Sequence, residues 1–306
     1  MNFFDLHCDT LVFAHRKQEG LRENSMHISL QKGKCFDKWC QTYAIYVPDS
    51  VEANQAKEYV TEYLAFFHEQ MEKNSDLVVK CTNAAEIEQA AQSGRFAAVL
   101  SIENGRAFGD DMSTVERYYN AGVRIASLTW NNATLLAGGA MTDEGLTTLG
   151  RDALSEMERV GMVLDVSHAS ERTFYEAAEC YSKPLLATHS NSSAVYPHRR
   201  NLTDGQFAVI KERGGLVGLN FYTGFISDAG TIDDLVRHAD HFLSLGGEDI
   251  LAMGSDFDGA EIEPNLDSID KVENLANAML RKNYSETLVN KIFYDNAYQF
   301  FIRNVK

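Results

Sequence analysis

Acids and histidines stand at the ends of separate apolar runs in this chain. His7 ends the run 3–7 with Asp9 two residues on, Glu103 follows 96–102, His168 follows 162–167, and His189 follows 185–188. A sixth acidic segment, Gly254-Ser255-Asp256-Phe257-Asp258-Gly259, closes the series. Imidazole nitrogens and carboxylate oxygens are the donors that zinc accepts. His7 and Asp9 are two residues apart, a spacing that puts both on one side of a strand. A carboxylate has two oxygens, so Glu103 can bridge two cations. Any one of these residues alone reads as an ordinary hydrogen-bonded residue at a strand end. Their conjunction reads as a metal site, because the strands of a (β/α)8 barrel all point one way and gather their last residues at one mouth. A metal held there lowers the pKa of its bound water toward ~7, so the chemistry these residues suit is metal-dependent hydrolysis.

The elements that must position them can be read from pattern. Eight short, nearly continuous apolar runs suit strands buried on both faces, as in a parallel sheet covered by helices: 3–7, 42–47, 96–102, 123–129, 162–167, 185–188, 215–220 and 250–255. Helical stretches alternate with them. Val60, Leu64, Phe67 and Met71 form a stripe at helical spacing. Ser113 with Glu116, and Thr203 with Gln206, have the spacing of capping boxes. Gly94, Gly122, Gly161 and Gly214 sit where helices should stop. Two further helical segments, 268–282 and 285–303, follow the last strand, with Ser285 placed to cap the second. The expected fold is α/β: a single (β/α)8 TIM-type barrel over residues 1–306 with extra C-terminal helices. An open doubly wound sheet is the alternative, but the first strand carries no glycine-rich dinucleotide fingerprint.

Composition bounds the partners. The 306 residues are 44% hydrophobic and 24% charged, enough apolar material for a large core. A net charge of −16 disfavours both a nucleic-acid groove and an anionic membrane surface. Only four prolines are present, which leaves no long proline-rich linker. No apolar run approaches the roughly 18 residues of a membrane span. Met1-Asn2-Phe3-Phe4-Asp5 lacks the basic and apolar regions of a secretory leader. The five cysteines (Cys8, Cys35, Cys40, Cys81 and Cys180) are odd in number and irregularly spaced. They read as reduced thiols of a cytoplasmic protein rather than a disulfide framework. Of the other histidines, His15, His27, His68, His198, His238 and His241 fall on presumed loops or helices and read as solvated or structural. His198 lies close to a segment expected to line the mouth.

Taken in order, the motifs resemble the membrane (renal) dipeptidase family of zinc metallopeptidases over nearly the whole chain. Asp5-Leu6-His7-Cys8-Asp9 looks like the family's D-x-H-x-D, and Glu103-Asn104-Gly105 like its E-G-G with Asn in place of a Gly. Asp165-Val166-Ser167-His168, Thr188-His189-Ser190-Asn191-Ser192, Arg200-Asn201-Leu202-Thr203-Asp204 and Gly254-Ser255-Asp256-Phe257-Asp258-Gly259 match as well. The resemblance implies a dinuclear centre of two Zn²⁺ per chain. By it His7 and Asp9 hold one ion, His168 and His189 the other, and Glu103 bridges. It further implies Asp256 as the acid–base residue, Arg200 as the contact for the carboxylate of a small dipeptide substrate, and a homodimer. Two departures matter. Trp130 stands where many members have a His that contacts the scissile group, and Phe225 where some have a Tyr. Trp130 is thus a candidate substrate-contact residue, and it keeps open an amidase, lactonase or phosphoesterase on the same barrel. A metal-binding module without turnover is a further alternative, disfavoured by Asp256.

Overall fold

The computed structural model describes residues 1–306. Nine strands run parallel: β1 (Asn2–Cys8), β2 (Lys38–Tyr46), β3 (Val78–Lys80), β4 (Phe96–Glu103), β5 (Val123–Ser127), β6 (Val163–Asp165), β7 (Leu186–Ala187), β8 (Leu216–Leu219) and β9 (Leu251–Met253). Eight of them form a ring in the order β1-β2-β4-β5-β6-β7-β8-β9. Pairing of Asp5 with Met253 returns β9 to β1 and closes the barrel. The closed barrel, and not the open sheet, is the fold.

β3 is absent from the reading of the sequence. Its three residues lie outside the ring and pair with Phe96–Ala98 of β4, below the stretch Leu100–Ile102 that pairs with β5. Val78-Val79-Lys80 is too short to show any period, which is why it escapes notice. The ring strands β6 and β7 are also shorter than the apolar runs that mark them.

One face of the strands fills the barrel. Leu6, Val99, Ile125, Val163, Leu186 and Leu216 share a buried cluster there. The C-terminal helix Asn296–Asn304 adds Phe300 and Phe301 to the same cluster, with the Phe301 ring 5.0 Å from that of Phe4. Phe4 lies toward the start of β1 and His7 at its end, so this helix plugs the end of the barrel opposite the candidate ligands. A larger cluster, including Val60, Phe67 and Met71, packs the helices onto the outer face.

β1 carries one irregularity with consequences for the site. Asp5 pairs with Gln41 but Cys8 pairs with Tyr43, so three steps along β1 oppose two along β2. The extra residue is a β-bulge, which reverses the alternation of side chains. Leu6 therefore faces the barrel interior while its neighbour His7 enters the mouth. Asp9 is not a strand residue at all: it is the N-cap position of the helix Thr10–Arg16.

Local signals behave unevenly. Thr203 and Gln206 make the full reciprocal capping box of the helix Asp204–Glu212, and Ser285 accepts a hydrogen bond from Leu288 N. Ser113 does not cap its helix. The Asp111 carboxylate takes its N–H and hydroxyl instead, and Met112 is the N-cap. Gly94, Gly122, Gly161 and Gly214 all adopt positive φ at helix ends. No helix is long and apolar enough to cross a membrane. All five cysteines are unbonded.

Candidate metal centre and substrate cleft

Every candidate ligand emerges at the carboxyl-terminal end of a ring strand. Glu103 is the last residue of β4, while His168, His189 and Asp256 follow β6, β7 and β9 by two or three residues. His7 Nε2 lies 3.6 Å from Asp9 Oδ2, 3.8 Å from Glu103 Oε2 and 3.9 Å from Asp256 Oδ1. Glu103 Oε1 is 2.8 Å from His168 Nε2 and 3.4 Å from His189 Nε2. One oxygen of Glu103 thus faces the His7 side and the other faces the pair His168–His189. Two overlapping groups have donor atoms close enough for a single ion: His7, Glu103 and His189, and His7, Asp9 and Asp256.

These atoms suit divalent metal better than they suit one another. His7 Nε2 and Asp9 Oδ1 are buried without a hydrogen-bond partner, an expensive state for polar groups. The Nε2 atoms of His168 and His189 point at each other across 3.0 Å. The hydrogen on His189 can be assigned. The Thr188 hydroxyl donates to Asp165 Oδ2 at 2.6 Å and stands 2.7 Å from His189 Nδ1. Its single hydrogen being used, it accepts from Nδ1–H, and Nε2 is left with a lone pair aimed into the cluster. This is the orientation that a carboxylate-backed metal histidine takes, with a threonine interposed.

The charge balance agrees. Burial, together with the positive charges of Arg200 and His7, holds His168 and His189 well below the usual histidine range, as neutral imidazoles. Burial also works to lower His7, but Glu103, Asp9 and Asp256 outweigh it and raise it to about 10. Glu103 is pushed well up, by burial first and by Asp9 and Asp256 next. Without metal, His7 is the cation that these acids recruit.

The turn after β9 is held in a demanding shape. Asp256 and Asp258 both have positive φ, +60° and +69°, a region that costs a non-glycine residue energy. A Cβ on Gly259 would stand 2.0 Å from Asp9 Oδ2 and 2.8 Å from Asp256 Oδ1, so only glycine fits. Asp258 clamps the turn by accepting from Thr10 Oγ1 at 2.6 Å and His27 N at 2.7 Å, while its own N–H donates to His27 Nδ1. Asp256 Oδ2 accepts from Asn220 Nδ2 at 3.0 Å, and burial raises its pKa. Asn220 is itself fixed by Asn191 through two reciprocal hydrogen bonds. Asn104, in place of the expected Gly, has φ +84° and donates to Val47 O and Asp49 Oδ1. Asn tolerates that region better than most residues.

The cluster opens into a cleft of ≈ 590 Å³, within the usual range for small-molecule sites of about 300–1,000 Å³. Phe13, Tyr46, Trp130, Met141, Tyr222 and Phe225 supply apolar wall. Trp130 packs edge-on to Tyr46 with ring centroids 5.0 Å apart and lies 6.0 Å from the His168 ring. Arg200 is only 3% exposed. Its guanidinium donates to the main-chain carbonyls of Ser167 and His189, Nε has no partner, and the group lies 5.4 Å from the Phe225 ring centroid. Sequence alone assigns no site role to Thr188, Asn220, His27 or Asp258: Thr188 and Asp258 stand inside motifs that point to their neighbours, and Asn220 and His27 lie in none. His238 is structural, bonded to Ser192 N and Ile226 O.

The model of the membrane dipeptidase family (peptidase family M19) matches residues 1–304. The chain belongs to that family. A protein of Klebsiella pneumoniae encoded in the pqqA 5′ region is 34% identical over 71% of this chain and 85% of its own. The crystal structure of a Rhodobacter sphaeroides metallopeptidase, liganded with a phosphinate mimic of the dipeptide L-Ala-D-Ala, superposes with TM-score 0.93. Its identity is 29%, covering 100% of this chain and 99% of that one. The metallopeptidase dipeptidase AC gives TM-score 0.94 at 30% identity with the same coverage. The protein is a metal-dependent dipeptidase.

Thr188→Val should keep the shape of the site but remove the hydroxyl that directs the His189 tautomer. Metal affinity is expected to fall by about 10–100-fold, the usual effect of losing such a supporting partner. Competition with a chromophoric chelator measures it, and an unchanged affinity would refute the assignment of the His189 proton.

Proposed function

We propose that this dipeptidase works with two zinc ions per chain, one held by His7 and Asp9, the other by His168 and His189, with Glu103 between them. The carrying observation is the splayed Glu103 carboxylate, whose two oxygens face the two ligand pairs separately. Zinc at such a centre supplies an activated water and polarises the scissile carbonyl.

The chain's own groups do the rest. Asp256 takes a proton from the attacking water and returns it to the leaving amine. Its Oδ2 is occupied by the Asn220 amide, which leaves Oδ1, on the His7 side, as the oxygen that moves the proton. A carboxylate whose pKa is raised by burial is better matched to both halves of that task. Arg200 provides positive charge for the free carboxylate of the substrate, which restricts the enzyme to short peptides. Trp130 serves as an apolar wall beside His168. An indole N–H is a single donor and carries no proton in exchange, so Trp130 offers the scissile group less than a histidine would. Substrates with an apolar or aromatic side chain near the scissile bond fit this wall best.

Elemental analysis after zinc loading should give about two equivalents per chain; one or none rules out the paired centre. Asp256→Asn should retain zinc and fold yet lose kcat by a factor on the order of 10²–10⁴, and near-full activity in that variant would remove Asp256 from proton transfer. Across a panel of dipeptides, hydrophobic side chains should be favoured over small polar ones, and Trp130→His should narrow that preference. A wild type indifferent to side chain, with a Trp130→His variant no different, would place Trp130 outside the reacting region.

A further inference from the structure

The cleft is built for a substrate that carries an anion, yet its walls are acidic. Asp9, Glu103, Asp256 and Glu261 line it, and neither Lys nor Arg does. Arg200 stands behind this surface with its guanidinium already committed to two main-chain carbonyls. A carboxylate docking here needs a donor on the cleft wall as well as the buried positive charge.

His198 lines the cleft. Its Nδ1 accepts the backbone N–H of Arg200 at 3.1 Å. A neutral imidazole whose Nδ1 is an acceptor carries its hydrogen on Nε2. Burial and the neighbouring Arg200 charge hold this histidine below the usual range, which keeps it neutral. The His198 ring lies against Phe225 with centroids 4.5 Å apart, and the Arg200 guanidinium lies 5.4 Å from the same ring centroid. One aromatic ring therefore carries both groups. Phe225 has no hydroxyl, so it offers no donor of its own.

We propose that His198 binds the free carboxylate of the substrate, donating its Nε2 hydrogen on the cleft wall while Arg200 supplies the charge behind it. The proposal rests on the dipeptidase reading and adds a residue to its carboxylate site. The competing explanation is that His198 only shapes the turn at 198–201, where Asn201 N also donates to His198 O.

His198→Asn separates the two, because an Asn carbonyl can accept the same N–H two residues on but its shorter side chain withdraws the donor from the cleft. Binding to the zinc-loaded protein would be measured by calorimetry with a phosphinate analogue of Ala-Ala and with its C-terminal carboxamide. The wild type should prefer the carboxylate. In His198→Asn the carboxylate analogue should weaken by roughly 10–100-fold, the scale of a hydrogen bond to a charged group, while the carboxamide, the melting temperature and the zinc content stay unchanged. Equal loss for both analogues, no loss for either, or a wild type without preference overturns the proposal. Turnover of dipeptides by the wild type is scored separately, so the proposal can fail while the dipeptidase reading stands.

Discussion

Three carboxylates, Asp9, Glu103 and Asp256, are buried around the single imidazole of His7. Like charges so placed cannot all remain ionised in a low-dielectric mouth without positive charge among them. Much of the surrounding structure answers that constraint. His7 is drawn toward protonation, Arg200 is stationed behind the histidines, His168 and His189 stay neutral, and His189 turns a lone pair inward. A divalent cation satisfies the same demand with fewer compromises. Bound there, it would take up the unpartnered oxygen of Asp9 and separate the nitrogens that otherwise confront one another.

The direction of a single hydrogen gives histidines in this molecule opposite characters. The Thr188 hydroxyl receives the Nδ1 hydrogen of His189, which makes that ring an electron-pair donor. At His27, His198 and His238 a backbone N–H points at Nδ1, which makes the far nitrogen a hydrogen donor. Residue type alone does not distinguish the two cases. The polar group beside Nδ1 decides which nitrogen can meet a metal and which can meet an anion.

Much of this was legible in the sequence. The ring strands showed as apolar runs because parallel strands covered by helices are buried on both faces, and the glycines at 94, 122, 161 and 214 marked real helix ends. The six acids and histidines were visible because each closes such a run. The supporting contacts were not. Asn220 reaches Asp256 across 36 positions, and His27 meets Asp258 across 231; neither separation leaves a local trace. Ser113 misled because a nearby aspartate, Asp111, competed successfully for its amide. The alternation argument for His7 and Asp9 brought them to the right place by the wrong route, since a bulge and a helix start intervene.

That bulge gives the first strand a peculiar kind of sensitivity. Between Asp5 and Cys8 the side-chain parity is reversed by one surplus residue, so the inward aim of His7 depends on how many residues precede it as well as on what they are. Leu6 or Cys8 could be exchanged for other apolar residues of similar volume at modest cost. Removing one residue from that stretch would restore regular pleating and turn His7 out toward the helical layer. The opening motif is in this sense a ruler: its letters can change at less cost to the site than its length.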